Sequence, residues 1–141
     1  MVLGTGIDIS EIPRIAAALE RYGERFLQRI YTPSELAYCM RKKSSAESLA
    51  ARFAAKEAAA KALGTGISYG VSWLEIEVAR APSGRPSLAL HGRAAEIAAR
   101  MGVRSSSLSL THSREIAMAF VILEDSERPS LAGFPDIQKL L

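Results

Sequence analysis

The sequence predicts an α+β domain in which a mainly antiparallel sheet packs against a long central helix. The chain of 141 residues is long enough for one domain with its own core, and 48% of its residues are hydrophobic. An alanine-rich segment from about Ala46 to Leu63 predicts the helix, because alanine has the highest helix propensity. Two strand-like segments, Ser106 to Ser113 and Ile116 to Leu123, are joined by a tight turn, which predicts an antiparallel pair.

The first half of the chain predicts one strand followed by helices. In order, these are a strand over Val2 to Ile9, a helix beginning at Glu11, a short helix around Phe26 to Ile30, a helix starting at Thr32, and the long helix. Ser10 is predicted to cap the first helix, and Pro13 lies in its first turn. Thr32 and Glu35 have the spacing of a capping box, and Gly64 is expected to end the long helix.

The second half of the chain is predicted to be rich in strands. Leu74, Ile76 and Val78 alternate with glutamates, which is typical of a half-buried strand. The other elements are a turn over Ala81 to Pro86, a strand over Ser87 to His91, a helix over Gly92 to Met101, and the antiparallel pair described above. Because the composition then changes sharply, we expect a domain over residues 1–124 and a separate tail over residues 125–141.

Charge and cysteine content narrow the classes of function. The net charge of +3 and the pI near 9.2 leave room for an anionic ligand or an acidic partner. Only 6% of the residues are aromatic and long basic runs are absent, so nucleic-acid binding is not expected. No apolar run reaches the ~18 residues of a membrane span, and the N-terminal segment lacks the features of a secretory signal. With Cys39 as the single cysteine, we expect a cytoplasmic protein in which this side chain is buried.

The polar residues of the long helix form two groups. At about 100° per residue, they make two opposite stripes, one of Ser48, Arg52 and Lys56 and the other of Glu47, Glu57 and Lys61. A simple surface helix has one polar face, so this helix is predicted to be covered on two sides, with Glu57 and Lys61 facing a cleft or a subunit contact. The plainer interpretation of Glu57 and Lys61, four residues apart, is a surface ion pair worth roughly 0.3 kcal/mol.

Two carboxylates, several cations and a glycine turn together predict a site for a divalent metal and a pyrophosphate. Asp8 lies in the first strand, Glu57 and Lys61 lie on the long helix, and the glycines at 64 and 66 follow it. Magnesium takes one or two carboxylates with waters and substrate phosphates, while lysines and backbone N–H groups neutralise the remaining charge. Taken singly, Asp8 could instead be a turn residue, and His112 could be a histidine of the half-core.

Three motifs carry a resemblance to a known family. They are GIDI at Gly6 to Ile9, RFAAKEAAAKALGTGI at Arg52 to Ile67, and SLSLTHS at Ser107 to Ser113. With these motifs in this order and at this spacing, the chain resembles the holo-acyl-carrier-protein synthases, the small 4′-phosphopantetheinyl transferases. The resemblance extends over roughly Val2 to Glu124 and does not include the tail.

The resemblance implies a magnesium-dependent reaction of fatty acid biosynthesis. In it, the 4′-phosphopantetheine group moves from coenzyme A to a serine of an apo acyl carrier protein, and adenosine 3′,5′-bisphosphate is released. By this resemblance Asp8 and Glu57 are metal ligands with a catalytic role, and Lys61 contacts the phosphates or helps to remove the serine proton. Other residues are implied to contact coenzyme A, namely His112, the turn of Gly64, Thr65 and Gly66, and, at the 3′-phosphate, Arg52, Lys42 and Lys43.

The resemblance also implies two kinds of protein partner. A homotrimer with sites between subunits would suit a helix that is polar on two opposite faces. Acyl carrier proteins are acidic as a family, so the exposed arginines predicted for the first helix, Arg14, Arg21 and Arg25, are expected to form a docking strip along one stripe.

Two functions of other kinds are compatible with the same residues. A non-catalytic basic binding module would bind an acidic protein or RNA and would need no metal. A magnesium-dependent nucleotide pyrophosphohydrolase would use the same carboxylates but would transfer the phosphoryl group to water.

Overall fold

The computed structural model of the chain describes residues 1–127 and has the predicted α+β architecture. Within these residues, the strands are β1 (Val2–Glu11), β2 (Ile76–Arg80), β3 (Pro86–Leu90), β4 (Ser105–His112) and β5 (Ile116–Glu124). The α-helices of the same part are α1 (Ile12–Tyr22), α2 (Glu24–Ile30), α3 (Pro33–Cys39), α4 (Ser45–Ala62) and α5 (Gly92–Met101). The capping box predicted at the start of α3 is present.

The strands form two antiparallel sheets. The larger sheet has the order β1-β5-β4, so β1 and β4 are its edges, and β2 pairs with β3 in a separate hairpin. Asp8 of β1 lies opposite Ala119 of the central strand, and Ala119 lies opposite Leu110 of β4. This register fixes which residues of the two edge strands share a face.

Strand β1 lies directly on helix α4, because glycines and alanines leave no side chains between them. A Cβ atom on Gly4 would overlap the carbonyl oxygen of Ala62, and one on Gly6 would overlap that of Ala58. Alternation along the strand puts Asp8 on the same face as Gly6, toward α4. The small residues of the two motifs therefore bring an aspartate of the sheet into contact with the helix.

A buried ion pair joins α4 to α3 and to the segment before β2. Lys56 has no exposed surface, and its ammonium donates to Glu35 Oε1 at 2.7 Å. It also donates to the carbonyl oxygens of Trp73 at 2.9 Å and Ile76 at 2.7 Å, so all three of its N–H groups have acceptors. Burial lowers the pKa of Lys56, while the charge of Glu35 acts in the opposite direction. These bonds make Lys56 part of the core.

One of the two polar stripes of helix α4 is enclosed by the core, namely the stripe that contains Arg52 and Lys56. Arg52 and Lys56 are buried, whereas the side chain of Lys61 is 53% exposed and Glu57 is half-buried. Glu57 and Lys61, predicted to face a cleft or a subunit contact, are accessible within the single chain, and that prediction stays open. Helical periodicity gives the angle between two stripes, and only the docking of the other elements decides which stripe they cover.

Two predicted boundaries shift by one or two residues. Strand β1 continues through Ser10 to Glu11 because its ladder with β5 continues, so α1 begins at Ile12 and has no side-chain cap. Ser10 is thus a buried strand residue and not the predicted helix cap. The strand predicted from Leu74 begins at Ile76, because the preceding three residues form a 3-10 turn.

Among residues 1–127, no helix is both long and apolar enough to cross a membrane.

The cysteine and the tail are also the subject of predictions. Cys39 is fully buried, as predicted, and burial raises the pKa of its thiol to about 11. Most of the predicted tail, residues 128–141, lies outside the described residues, and within the described part Asp125 pairs with the amino group of Met1.

Candidate active site

Asp8 and Lys61 meet where β1 crosses the C-terminal half of α4. Lys61 Nζ donates to Asp8 Oδ1 at 2.8 Å and to the carbonyl oxygen of Ile7 at 3.1 Å. Because an ammonium has three donors, one N–H of Lys61 remains for the oxygen of a ligand. The side chain of Asp8 is 17% exposed. The pair is therefore accessible from solvent and still has unused hydrogen-bonding capacity.

Glu57 lies one turn before Lys61 on α4, and the two do not form the surface ion pair of the plainer interpretation. Lys61 bonds to Asp8, and Glu57 Oε1 accepts a hydrogen bond of 2.9 Å from the indole Nε1 of Trp73. Within residues 1–127, the other oxygen of Glu57 accepts no hydrogen bond. Sequence reasoning missed Trp73, because a residue 16 positions away in another element has no periodic relation to the helix.

The donor set fits a hard divalent cation such as Mg²⁺. Asp8 and Glu57 both offer carboxylate oxygens beside the same part of α4, since Asp8 contacts Lys61 and Glu57 precedes Lys61 by one turn. Residues 1–127 contain no group of three or more His, Cys, Asp and Glu that could hold a metal. Magnesium suits such a site because it retains several waters and takes further oxygens from substrate phosphates. A metal bound here would leave most of its coordination sphere to water and substrate.

The glycine turn closes the C-terminus of α4 directly after Lys61. The N–H groups of Thr65 and Gly66 donate to the carbonyl oxygen of Ala60 at 3.2 and 3.1 Å. Gly64 and Gly66 have φ values of 80° and 60°, in the left-handed region that favours glycine. A Cβ atom on either glycine would meet no atom within 4 Å. The space beside the turn is therefore open to a close backbone approach by a ligand.

His112 does not lie beside Asp8 within one chain. It ends β4, at the opposite edge of the sheet from β1, and pairs with Ala117, which in turn pairs with Ser10. Because neighbouring strands are about 4.8 Å apart, two strand spacings separate His112 from β1, or about 10 Å. The side chain of His112 is exposed, so its interpretation as a half-core histidine is wrong.

Three cations surround the ring of Tyr38. The charged groups of Arg52, Lys42 and Arg80 lie 4.2, 4.7 and 4.7 Å from its centroid. Burial acts to raise the pKa of Tyr38, but contact with Lys42 and the positive charges of Arg80 and Arg52 outweigh it, and the pKa is lowered. The structure thus brings Lys42 and Arg52 together around the ring of Tyr38. The sequence alone did not predict that Tyr38 lies between them.

The predicted ligands of the 3′-phosphate differ in accessibility. Lys42 and Lys43 are exposed, whereas only 2% of Arg52 is exposed. Arg52 is turned onto Tyr38, and its Nη1 donates to the carbonyl oxygen of Ser48 at 3.3 Å. The expectation that Arg52 reaches a phosphate at the surface is therefore corrected, because its guanidinium packs inside the chain. Only the two lysines are presented to a ligand.

The three predicted docking arginines do not lie along one helix. Arg14 and Arg21 are on α1, whereas Arg25 is on α2, because Gly23, with a φ of 54°, ends the first helix. All three side chains are exposed. Arg14 borders a cavity of about 500 Å³ and Arg25 borders another of about 590 Å³, and Phe26 lines both. The single stripe is therefore corrected to a bent surface around two apolar hollows.

Comparisons with known proteins agree with the motifs and the fold. A family model for the 4′-phosphopantetheinyl transferase superfamily matches residues 4–137. The chain is 56% identical over 125 residues to a holo-[acyl-carrier-protein] synthase of Koribacter versatilis, covering 89% of this chain and 100% of that relative. It is similar to the crystal structure of the synthase from Neisseria meningitidis, with a TM-score of 0.80, 37% identity, and coverage of 88% of this chain and 99% of that one. It is also similar to the Helicobacter pylori synthase in complex with coenzyme A, with a TM-score of 0.76, 36% identity, and coverage of 85% and 99%. The predicted family and fold class are thus confirmed, and the chain belongs to the 4′-phosphopantetheinyl transferase superfamily.

Proposed function

We propose that the protein transfers the 4′-phosphopantetheine group of coenzyme A to a serine of an apo acyl carrier protein in the cytoplasm. The serine Oγ forms a bond to the phosphorus that carries the pantetheine arm, and its proton is lost. The bond from that phosphorus to the bridging oxygen breaks, and adenosine 3′,5′-bisphosphate leaves. The observation that carries the proposal is the contact of Asp8 with Lys61 beside Glu57, in a chain similar to a synthase bound to coenzyme A.

Asp8 and Glu57 are the residues that would hold Mg²⁺. The metal would neutralise charge on the pyrophosphate as the phosphorus–oxygen bond breaks. Asp8 is held by the close docking of β1 on α4, and Glu57 is held by Trp73, so each carboxylate has a fixed position in the absence of substrate. Positioning of this kind is the main contribution that a protein makes to phosphoryl transfer.

Lys61 acts as a donor to the phosphate oxygens. Its ammonium already donates to the carboxylate of Asp8 and the carbonyl of Ile7, and one of its three N–H groups remains for a ligand. The third N–H can reach a nonbridging phosphate oxygen and stabilise the charge that develops there.

Coenzyme A binds as an anion between the lysines and the glycine turn. Lys42 and Lys43 offer exposed ammonium groups to the 3′-phosphate, and the charges of Arg52 and Arg80 next to Tyr38 add to the positive field. The open space at residues 64–66 accepts another part of the molecule close to the backbone.

The acyl carrier protein docks on the surface formed by α1 and α2. Arg14 and Arg21 supply positive charge opposite an acidic helix, and Arg25 extends this surface around Gly23. The hollow beside Arg14 offers an apolar seat, lined also by Ile9, Ile15, Ala18, Phe26 and Phe53. Asp8 lies on the strand that leads into α1, so a carrier docked here brings its serine near the metal ligands.

The active unit is a homotrimer with sites between subunits. The sheet face away from α4 exposes apolar side chains, namely Ile7, Ile9, Ile116 and Phe120. Monomers rarely expose a contiguous apolar patch of this kind, and a second copy of the chain would cover it. His112 and Asp8 lie on opposite edges of one sheet, and His112 of a neighbouring subunit could complete the coenzyme A pocket at Asp8.

The test is to incubate the protein with coenzyme A, Mg²⁺ and an apo acyl carrier protein and to follow the carrier by mass spectrometry. We expect the carrier to gain one phosphopantetheine group, and chelation of the metal to stop the reaction. Release of free phosphopantetheine with an unmodified carrier would instead indicate a pyrophosphohydrolase. Binding of the carrier without any product would indicate a non-catalytic binding module.

A further inference from the structure

The indole of Trp73 is built into the wall of the site at Glu57. Its Nε1–H donates to Glu57 Oε1 at 2.9 Å, and its ring stacks on Phe53 with 6.3 Å between centroids. The guanidinium of Arg29 lies 5.8 Å from the ring centroid. The backbone carbonyl of Trp73 accepts a hydrogen bond from buried Lys56 at 2.9 Å. The backbone and the ring of Trp73 are therefore both held by residues of α4, the helix that carries Glu57.

The kind of donor that contacts Glu57 matters for a metal ligand. An indole N–H is neutral and donates one hydrogen bond, so it orients a carboxylate without cancelling its charge. A lysine or arginine in the same place would compete with a cation for the carboxylate. Asp8 provides the contrast, since its partner is the ammonium of Lys61. The two carboxylates of the site are thus oriented by donors that differ in charge. The donor to Glu57 is a neutral indole, and the donor to Asp8 is a cationic ammonium.

The hydrogen bond from Trp73 also makes the two carboxylate oxygens of Glu57 different from each other. Oε1 is occupied by the indole, while Oε2 accepts no hydrogen bond within residues 1–127. Partners that orient a metal ligand in this way change metal affinity by about 10–100-fold when they are removed. A fixed carboxylate with one available oxygen is what a monodentate ligand of Mg²⁺ requires.

We propose that Trp73 is a positioning residue for Glu57, whose indole N–H holds Oε1 so that Oε2 is directed at a divalent cation. This inference rests on the proposed function, in which Glu57 binds Mg²⁺. Through Lys56 and Phe53, the core of the protein sets the orientation of the ligand before any cation arrives.

The first test measures binding of Mn²⁺, as a probe for Mg²⁺, by electron paramagnetic resonance in the presence of saturating coenzyme A. Trp73→Phe keeps an aromatic ring against Phe53 and removes the N–H, and we expect it to weaken Mn²⁺ binding about 10-fold. Tyr22→Phe is the matched control, because Tyr22 lines the cavity of about 590 Å³ together with Trp73, whereas Glu57 does not, and the change removes a polar group from an aromatic residue. It should bind Mn²⁺ like the wild type. Circular dichroism and thermal unfolding check that each variant is folded.

Glu57→Gln separates failure of this inference from failure of the proposed function. If Glu57→Gln binds Mn²⁺ as tightly as the wild type does, Mn²⁺ binding does not depend on Glu57 and the metal assignment is wrong. If Glu57→Gln loses Mn²⁺ but Trp73→Phe binds it like the wild type, the positioning role is wrong and the metal assignment stands.

The second test needs no replacement of Trp73. Trp73 is the single tryptophan of the chain, so the protein's tryptophan fluorescence reports on this indole alone. We expect the emission of the wild type to change on titration with Mg²⁺ in the presence of coenzyme A, and the change to be absent in Glu57→Gln. A wild-type emission that stays constant while Mg²⁺ supports activity would overturn the proposal.

Discussion

The two polar sides of helix α4 both carry lysines but differ in how many of their hydrogen-bonding groups have partners. On the core side, Lys56 has no exposed surface, and its ammonium donates to Glu35 and to two backbone carbonyls. On the site side, Lys61 is 53% exposed and donates to two acceptors, and Glu57 has one oxygen without a partner in the described part of the chain. Unused hydrogen-bonding capacity therefore distinguishes the side of the helix proposed to form the site, and charge alone does not.

The largest effect should come from matched replacements of the two lysines by methionine. Lys56→Met leaves the carboxylate of Glu35 buried without its cation, which should lower the free energy of unfolding by about 3–5 kcal/mol. Lys61→Met breaks an exposed pair and should cost less than about 1 kcal/mol while it abolishes most of the transferase activity. Urea unfolding and the carrier assay give the two measurements. Equal losses of stability would contradict the distinction between the two sides.

The next effect concerns a carboxylate on the site side. Glu57→Gln keeps the size of the side chain but removes a charge that is proposed to hold Mg²⁺, so the transfer rate should fall by at least about 100-fold, or about 2.7 kcal/mol. Glu47→Gln, ten residues earlier on the same helix, is the control and should keep near-normal activity. Rates are measured at limiting Mg²⁺ with the fold checked by circular dichroism. Normal activity of Glu57→Gln under these conditions would remove Glu57 from the metal site.

A smaller effect is expected at the proposed docking surface, where the charged side chains are exposed. The double reversal Arg14→Glu with Arg21→Glu should raise the Michaelis constant for the carrier protein about 10-fold and leave coenzyme A binding unchanged, because such charges act on the encounter. A reversal of equal charge outside α1 and α2, Arg93→Glu with Arg100→Glu on α5, is the control. Salt should slow the wild type more than the double variant. If the wild type and the double variant have equal Michaelis constants for the carrier protein at low salt, these arginines do not dock the carrier and serve only solubility.

The next prediction concerns recognition of the 3′-phosphate of coenzyme A by the exposed lysines, Lys42 and Lys43. We expect dephospho-coenzyme A to bind about fivefold more weakly than coenzyme A, on the order of 1 kcal/mol, because the contacts proposed for the 3′-phosphate are with exposed lysines. In Lys42→Ala with Lys43→Ala, the two ligands should bind almost equally, as measured by calorimetry. If the wild type already binds both ligands equally, these lysines do not recognise the 3′-phosphate.

The smallest effect is a pH dependence at a carboxylate outside the site. Hydrogen bonds from Thr32 and Ser34 lower the pKa of Glu77 from its ordinary 4.5, with a further contribution from His91 at 3.2 Å. A lowered folded-state pKa gives stability that is present above pH 4.5 and lost as the pH falls through the folded-state value. Glu77→Gln should therefore flatten the acid side of the stability profile. An unchanged profile would mean that these bonds persist in the unfolded chain or contribute nothing.

The sequence was sufficient to predict the elements that have a local cause. The capping box at Thr32, the alanine-rich helix and the antiparallel pair ending at Glu124 all have the expected type and approximate position. Their signals are propensity, side-chain spacing and alternation, which act within a few residues. The three motifs likewise sufficed for the family, because their combination is specific.

The remaining features depend on how the elements dock, and no local pattern contains that information. The preference of Lys61 for Asp8 over Glu57 requires β1 to lie against α4. The burial of Arg52 depends on the position of Tyr38, and the division of the docking surface depends on one positive φ at Gly23. The contact of Lys61 with Asp8 joins elements that are distant in sequence, whereas the other two differences arise from how consecutive helices turn and pack.

The seam of glycine and alanine between β1 and α4 has a consequence for the entropy of catalysis. At Gly4 and Gly6 the strand touches the backbone of the helix, so no rotamer change can alter the spacing there. The separation between the backbones that carry Asp8 and Lys61 is thus fixed when the chain folds. The conformational freedom of these groups is lost once, during folding, and need not be lost again each time a substrate binds. A longer side chain in this seam would therefore slow every turnover, even if the protein still folded and still bound both substrates.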